Sequence, residues 1–354
     1  MPRALRNILV TGGCGFIGSN FIRHSLFQDN FSGKIINLDA LTYAGNPENL
    51  EDYQNDPRYV FVQGSIENAQ LVDRLFDTYD IDTVINFAAE SHVDRSIHGP
   101  AQFMQTNVMG TFTLLETARK FWAERNDTLF LHISTDEVYG SLGSSGYFTE
   151  ATAYDPRSPY SASKASSDHV ARAYYHTYGL PITLTNCSNN YGPYQFPEKL
   201  VPLMILNMLE KKYLPVYGDG KNVRDWLYVQ DHVLAIWTVL EQGALGECYN
   251  VGGDNEWSNI GLIETLCDVV ARETDQKSSE LKNLIHFVKD RPGHDQRYAI
   301  DCQKIKHNLG WKQTVSFTEG LQKTVHWYLH NMDWVKRVQS GEYQNWIQLN
   351  YQNR

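Results

Sequence analysis

The sequence has few cysteines, and they form no pattern typical of a metal or redox site. Its 354 residues include 5 cysteines, an odd number, which are widely spaced and contain no CxxC pair. Reduced thiols are therefore expected, rather than a disulfide framework. His92, His132 and His294 do not form a spaced ligand set either, so no metal site is predicted.

Long apolar runs and an excess of positive charge are also missing. No apolar run reaches the length of about 18 residues that a membrane span needs, and the N-terminal apolar stretch is too short for a signal sequence. We therefore expect a soluble, cytoplasmic protein. Acidic residues outnumber basic ones, 41 against 31, which gives a net charge of −10. This sign disfavours nucleic acid as a partner.

The first half of the chain alternates predicted strands and helices. Strands are expected at 6–11, Lys34–Asp39, Tyr59–Gln63, 83–88, 129–134 and 182–186, and helices at 17–27, 68–79, 101–122, 160–178 and 201–210. Such alternation predicts an α/β fold with a doubly wound parallel sheet. Beyond about residue 189 the regular alternation of predicted strands and helices ends. We therefore expect a dinucleotide-binding domain over 1–188 and a smaller, partly interleaved substrate lobe over 189–354.

A glycine-rich turn follows the first predicted strand and opens a helix. Gly12 suits the tight turn, Gly15 allows backbone amides to approach a pyrophosphate, and Gly18 allows close packing of helix on strand. Asp39 ends the second strand 21 residues after Gly18, where a carboxylate can accept hydrogen bonds from a ribose diol and would repel a 2′-phosphate. NAD is therefore favoured over NADP, although another nucleotide could supply the phosphate.

Two further pairs of residues carry candidate chemistry. Tyr160 and Lys164 are four residues apart, which places both on one helical face. A nearby ammonium and a nicotinamide cation could lower the pKa of Tyr160 by about three units, making it a base for an alcohol undergoing oxidation. Asp136 and Glu137 follow a strand at the ligand-binding edge, where one can stay protonated while the other acts as base. The alternative is a surface Tyr and Lys, with Asp136 capping a turn and Glu137 solvated.

These motifs together carry a family resemblance. The turn at 11–18 and the segment 160–164 resemble the extended short-chain dehydrogenase/reductase superfamily that acts on nucleotide sugars. Segments 88–96, 135–137, 185–194, 196–200, 224–229 and 290–294 resemble the dTDP-glucose 4,6-dehydratases, and the resemblance covers essentially the whole chain. The family's epimerases usually carry small or hydroxyl residues where Asp136 and Glu137 stand.

The resemblance implies a hydro-lyase that converts dTDP-glucose to dTDP-4-keto-6-deoxyglucose and water on a retained NAD. In that scheme Tyr160, helped by Lys164 and Thr135, takes the proton of the 4-hydroxyl while C4 is oxidised. Glu137 then removes the C5 proton, Asp136 protonates the departing 6-hydroxyl, and the hydride returns to C6. Alternatives are a UDP-glucose 4,6-dehydratase, a nucleotide-sugar epimerase or decarboxylase, and a non-enzymatic NAD-sensing protein.

The resemblance also implies the binding residues. For NAD they are Gly12, Gly15, Phe16, Ile17, Gly18, Asp39, Ala40, Leu41, Thr42, Ser65, Ile66, Ala88, Ala89, Glu90, Ser91, Thr106, Tyr160, Lys164 and Asn190. For the nucleotide sugar they are His92, Thr135, Asn189, Lys199, Leu200, Pro215, Val216, Tyr217, Arg224, Asn259, Asp290, Arg291 and His294. Ser65 departs from the family's usual aspartate at the adenine contact. Helices 101–122 and 160–178 resemble the family's homodimer bundle.

Overall fold

The computed structural model describes residue 3 and residues 5–28, 31–290 and 294–339. The strands are β1 (Asn7–Thr11), β2 (Lys34–Asp39), β3 (Tyr59–Gln63), β4 (Thr83–Asn86), β5 (Leu129–Thr135), β6 (Ile182–Cys187), β7 (Asn189–Tyr191), β8 (Leu214–Tyr217), β9 (Val223–Tyr228), β10 (Cys248–Val251), β11 (Glu256–Ser258) and β12 (Ile285–Val288). The α-helices are α1 (Phe16–Phe27), α2 (Ala69–Tyr79), α3 (Val93–His98), α4 (Pro100–Phe103), α5 (Thr111–Phe121), α6 (Pro159–Tyr178), α7 (Leu200–Leu209), α8 (Val229–Gln242), α9 (Asn259–Glu273), α10 (Ser278–Lys282), α11 (Gln303–Leu309), α12 (Phe317–His330) and α13 (Met332–Val338). Short 3₁₀ segments span Pro47–Tyr53 and Asp136–Tyr139, and a π-helical segment spans Met104–Gly110.

Seven parallel strands form the main sheet, in the order β10-β6-β5-β4-β1-β2-β3. The chain proceeds from β1 to β2 and β3 on one side, then crosses to β4 on the other side of β1. Thr11, the last residue of β1, pairs with Leu38 of β2 and with Asn86 of β4. Strand order therefore reverses at β1, and the reversal leaves a crevice at the carboxyl ends of these strands.

Helices cover both faces of the main sheet, which confirms the doubly wound α/β fold. Because alternate residues of a strand point to opposite faces, Ile8 and Val10 of β1 belong to one apolar core and Leu9 belongs to the other. Helices α1 and α8 pack on the first face, and α2, α5 and α6 pack on the second. Burial on both faces explains why the strands are nearly continuous apolar runs.

The second half of the chain contributes to both parts of the molecule. Strand β10 returns to the main sheet, where Tyr249 pairs with Thr185 of β6. Strands β7, β9 and β11 form a three-stranded sheet, and β8 pairs with β12. Helices α7, α9 and α12 pack around a third apolar core. Among the described residues, no helix combines the length and apolar character needed to cross a membrane.

The predicted strands Lys34–Asp39 and Tyr59–Gln63 are confirmed, and most other boundaries differ by one or two residues. The predicted helix over 101–122 is confirmed as one continuous helical stretch, in which α4, the π-helical segment and α5 follow one another without a break. Asn107 lies in the π-helical segment with its side chain buried. A local widening of the helix is a common way to re-aim one side chain at a functional site.

Candidate active site

A cavity of about 550 Å³ opens at the carboxyl ends of β1, β2, β4 and β5. The structure brings to it nearly all of the residues expected to hold NAD. Its lining includes Gly12, Gly15, Phe16, Ile17, Gly18, Asp39, Ala40, Thr42, Ser65, Ile66, Ala88, Ala89, Glu90, Ser91, Thr106, Tyr160, Lys164 and Asn190. Leu41 is the exception: it does not line the cavity, and its backbone amide donates to Asp39 Oδ1 at 2.8 Å.

The glycine turn has the geometry that close approach of a phosphate requires. Gly12 has φ of +68°, and a Cβ there would lie 2.8 Å from the backbone N and Cα of Ala88. A Cβ on Gly18 would lie 2.5 Å from the carbonyl oxygen of Gly12, so only glycine permits this contact of α1 with the turn. Helix α1 has no side-chain cap and no acidic residue in its first turn, which leaves its first amides available to an anion.

Asp39 fixes the turn to the end of β2. Its Oδ2 accepts a hydrogen bond from the Cys14 amide at 2.8 Å, and its Oδ1 accepts from the Leu41 amide. Burial raises the pKa of Asp39, and these two hydrogen bonds partly offset that effect. Each carboxylate oxygen keeps a further lone pair, so the residue can still accept from a ribose hydroxyl. The turn, α1 and Asp39 together fit a dinucleotide without a 2′-phosphate.

Tyr160 and Lys164 are placed by the start of α6. Ser158 forms a capping box with Ser161, and Pro159 occupies the first helical position, so the sequence determines where the helix begins. The Tyr160 and Lys164 side chains are both buried and both line the cavity. Lys164 Nζ donates to the carbonyl oxygen of Ile133 on β5 at 2.8 Å.

The electrostatics of Tyr160 differ from the sequence-based expectation. Burial, with the charge of Glu137, raises the pKa of Tyr160 well above its ordinary value, and a hydrogen bond with Thr135 lowers it. Burial also lowers the pKa of Lys164. The protein side chains therefore do not by themselves favour a phenolate, because the desolvation of a buried hydroxyl outweighs the neighbouring polar groups.

Asp136 and Glu137 follow β5 directly, and their environments are unequal. Asp136 is 2% exposed, and its Oδ2 has no hydrogen-bond partner among the described residues. Burial raises the pKa of Asp136 well above its ordinary value, and the charges of Glu137 and Asp225 raise it further. Glu137 is only partly buried, and its amide donates to Thr135 Oγ1 at 3.3 Å. The arrangement favours a neutral Asp136, which is a proton donor, beside a more solvated carboxylate.

The residues expected to bind the nucleotide sugar fall into two groups. Thr135, Asn189 and Lys199 line the cavity. Outside that lining are His92, Leu200, Pro215, Val216, Tyr217, Arg224, Asn259, Asp290 and His294. Arg291 lies outside the described residues. Val216 is 2% exposed and packs in the third core, so almost none of the residue is accessible to a ligand.

Part of the second group lies close to the carboxylates. Arg224 Nη2 donates to the Asp295 carbonyl oxygen at 2.9 Å, and the guanidinium carbon lies 4.2 Å from the ring centre of Tyr298. Arg224 lowers the pKa of Asp136, and Glu137 raises the pKa of Tyr298. Arg224 and Tyr298 are therefore electrostatically linked to the carboxylate pair.

A second cluster of expected sugar-nucleotide residues lies at the end of β8. His294 Nδ1 and Asp290 Oδ1 are 2.6 Å apart, and the Tyr217 and His294 rings meet edge to face with centroids 6.2 Å apart. Asn259, at the start of α9, donates its amide to the Asn222 carbonyl oxygen at 3.0 Å. These contacts join the loop after β12 to β8 on the lobe side of the molecule.

Sequence reasoning missed Asn107 and Tyr298. Asn107 Nδ2 donates to the Glu90 carbonyl oxygen at 2.9 Å and to Ser163 Oγ at 2.8 Å, and its Oδ1 accepts from the Glu90 amide at 2.9 Å. It therefore links the loop after β4 to α6 beside Lys164. A single asparagine within a helical pattern, or a single tyrosine far along the chain, gives no sequence signal of such a position.

Comparison with known proteins agrees with this geometry. The GDP-mannose 4,6 dehydratase family model matches residues 9–324. The dTDP-glucose 4,6-dehydratase of Shigella flexneri is 53% identical, and the alignment covers 98% of this chain and 99% of that protein. The crystal structure of dTDP-glucose 4,6-dehydratase from Bacillus anthracis in complex with NAD has a TM-score of 0.85 and 49% identity, covering 94% of this chain and 99% of that one. The Streptomyces venezuelae dTDP-glucose 4,6-dehydratase, crystallised with NAD bound, has a TM-score of 0.85 and 46% identity, and the match covers 94% of this chain and 99% of that one. This chain therefore belongs to the GDP-mannose 4,6 dehydratase family.

Proposed function

We propose that the chain is a hydro-lyase that converts dTDP-glucose to dTDP-4-keto-6-deoxyglucose and water, with NAD as its cofactor. The observation that carries this function is the buried Asp136, whose pKa is raised by burial and by Glu137 next to it, in the same cavity as Tyr160. An epimerase needs only hydride chemistry and has no use for such a pair. The similarity to dTDP-glucose 4,6-dehydratases over nearly the whole chain supports the same reaction.

The glycine turn, the start of α1 and Asp39 hold the cofactor, and the loops after β3 and β4 complete its site. Ser65 stands in the loop after β3, where its hydroxyl replaces the family's usual carboxylate at the adenine. When bound, NAD supplies a hydride acceptor for oxidation at C4 and returns the same hydride at C6.

The chain's own residues move the protons. The positive charge of bound NAD would offset the effect of burial on the pKa of Tyr160. Tyr160, supported by Lys164 and hydrogen-bonded by Thr135, then accepts the proton of the sugar 4-hydroxyl. Oxidation at C4 acidifies C5, and Glu137 takes the C5 proton. Asp136 gives its proton to the 6-hydroxyl, which leaves as water. After hydride returns to C6 and a proton to C5, the sugar has lost one water and no net oxidation has occurred.

We assign the sugar nucleotide to the side of the cavity that faces the lobe formed by residues 189–354. Thr135, Asn189 and Lys199 face the sugar there, and Arg224 suits the diphosphate because its planar guanidinium can bind two oxygens at once. We also propose the division into 1–188 and 189–354, with β10 as the element of the second part that completes the sheet of the first. A homodimer through α5 and α6, and a cytoplasmic location, complete the proposal.

The experiment that tests the function uses the purified protein with dTDP-glucose and, separately, with UDP-glucose. Product mass is followed by mass spectrometry, first without added cofactor and then with NAD. Loss of the mass of one water from dTDP-glucose is the expected result. Loss of water from UDP-glucose instead would correct the base, and an epimerised product of unchanged mass would replace the function. No change with either substrate in the presence of NAD would contradict the dehydratase.

A further inference from the structure

The loop between β7 and α7 crosses the cavity, and its two ends are held on opposite sides. We call residues 193–199 the strap. Near its start, Asn20 of α1 donates to the Pro193 carbonyl oxygen at 3.0 Å, and the Arg23 guanidinium lies 4.9 Å from the ring centre of Tyr194. Tyr194 has φ of +66°, a conformation that a bulky side chain rarely adopts and that surrounding contacts must maintain.

The far end of the strap is held by a buried carboxylate. Glu198 is 3% exposed, and its Oε2 accepts from Arg95 Nη2 at 3.3 Å and lies 3.8 Å from His92 Nε2. The Tyr43 hydroxyl donates to the same carboxylate. The Arg95 guanidinium carbon in turn lies 3.7 Å from the ring centre of Tyr43. One buried charge thus ties the strap to the loop after β2 and to α3.

The middle of the strap faces the cavity. Gln195, Phe196, Glu198 and Lys199 all line it, together with Tyr43. Gln195 is 6% exposed, and its Oε1 has no hydrogen-bond partner among the described residues. A buried amide oxygen without a partner is costly unless a ligand supplies a donor.

We propose that the strap retains NAD in its cleft, and that the contact of Arg95 and Tyr43 with Glu198 is the clasp that holds the strap down. The inference rests on the proposed function only in naming NAD as the molecule beneath the strap. The strap is attached to α1 at its start and to α3 at its far end, and it lines the same cavity as the glycine turn, Asp39 and the loop after β4. A dinucleotide held by those segments then leaves only when the strap lifts. Lifting it separates the Glu198 carboxylate from the Arg95 guanidinium, a charge-assisted hydrogen bond that is strong where water is largely excluded. The clasp residues are positioning residues that act on the cofactor's release rate.

The test measures NAD release from the holoenzyme. Wild type and Glu198→Gln are loaded with radiolabelled NAD, diluted into excess unlabelled NAD and followed by rapid filtration. We expect release to be faster by about tenfold or more in Glu198→Gln, as expected for a loss of about 1.4 kcal/mol from the closed state. Tyr43→Phe keeps the ring beneath Arg95 and loses only the hydroxyl, so it should accelerate release by a smaller factor. Arg125→Gln removes ion pairs with Asp80 and Asp127 at the amino ends of β4 and β5, at the opposite end of these strands from the cavity, and serves as the control.

Two further measurements separate a clasp from a merely structural pair. In Arg95→Gln combined with Glu198→Gln, release should be no faster than in the more affected single variant, because both remove the same contact. On dilution, Glu198→Gln should lose activity as NAD dissociates from it, and added NAD should restore that activity. Unchanged NAD release in Glu198→Gln, or a raised KM for the sugar nucleotide with normal NAD release, would overturn the clasp.

The result of the NAD-release test can be distinguished from the result of the dehydration test, because NAD release is measured without turnover of the sugar nucleotide. If NAD leaves Glu198→Gln faster but no dehydration occurs, the clasp stands and the function fails. If dehydration occurs but NAD leaves at the wild-type rate, the function stands and the clasp fails. Failure of the wild-type protein to bind NAD would overturn both.

Discussion

Lys164 Nζ donates a hydrogen bond of 2.8 Å to the carbonyl oxygen of Ile133, so the ammonium is held against the end of β5. One helical turn later, Asp168 Oδ2 accepts from Ser134 Oγ at 2.8 Å, on the next residue of the same strand. Helix α6 is thus attached to β5 by two adjacent polar contacts. Both Lys164 and Asp168 are buried, and the negative charge of Asp168 partly offsets the lowering of the pKa of Lys164 by burial.

Asp168→Asn should shift the alkaline limit of activity to lower pH. Without the carboxylate, the pKa of Lys164 falls further below its ordinary value, and the charged form that supports Tyr160 is lost earlier as pH rises. The measurement is kcat against pH for wild type and variant. Ser166→Ala on the same helix removes only a hydroxyl that donates to the Ala162 carbonyl oxygen, and its profile should match that of wild type. An alkaline limb that does not move in Asp168→Asn would contradict this role.

Glu137→Gln should abolish exchange of the C5 proton with solvent while NAD remains bound. The amide cannot take the proton, although it keeps the size of the side chain. The measurement is deuterium incorporation at C5 of the sugar in D₂O, with bound NAD quantified after denaturation. Asp136→Asn is the matched variant: it should retain exchange but slow loss of water by about 100-fold or more, the usual effect of removing a general acid. Undiminished exchange in Glu137→Gln would remove that residue from its role as base.

Gly18→Ala should destabilise the fold, whereas Gly15→Ala should mainly weaken NAD binding. A Cβ at position 18 meets the Gly12 carbonyl oxygen at 2.5 Å and the Gly13 Cα at 2.8 Å, both backbone atoms that cannot yield easily. We expect a loss of about 1–3 kcal/mol, typical of overpacking. At position 15 the nearest atom is 3.2 Å away, and the backbone is one that alanine adopts readily. Thermal unfolding and NAD titration of both variants check this, and an equal loss of Tm in the two would contradict it.

If the chain forms the proposed homodimer, Phe112→Glu should convert it to monomer. Met104, Met109 and Phe112 each expose about 40% or more of their surface on the π-helical segment and α5, and Tyr178 exposes 55% at the end of α6. A new carboxylate within such an apolar surface would have to be buried unpaired in a dimer, which is unfavourable. Phe27→Glu is the control, since Phe27 is exposed at the end of α1 outside these helices. Light scattering reports the mass, and a wild-type protein that is only monomeric would contradict the dimer itself.

Local sequence patterns predicted the helices and strands well where residues close together in the sequence determine the local structure. The strand Lys34–Asp39 and the start of α6 depend on short apolar runs and on a Ser-Pro cap, and both were readable in advance. The π-helical segment within the helix over 101–122 was not, and nor were the hydrogen bonds of Asn107 to Glu90 and Ser163, which are distant in sequence. The contact of Leu41 with NAD stays a prediction; in the structure its amide donates to Asp39 and it lies outside the cavity lining.

By itself the sequence determined the α/β class, the glycine turn and the pairing of Tyr160 with Lys164 on one helical face, because each depends on periodicity or spacing within a few residues. Only the tertiary structure decided that Arg224 acts on the pKa of Asp136, that β10 returns to the main sheet, and that Glu198 meets Arg95. These relationships join residues far apart in the chain, and they form only when burial of the apolar cores brings distant segments together. Burial is also the largest cause of the raised pKa of Asp136, since the loss of water around its carboxyl group arises from packing.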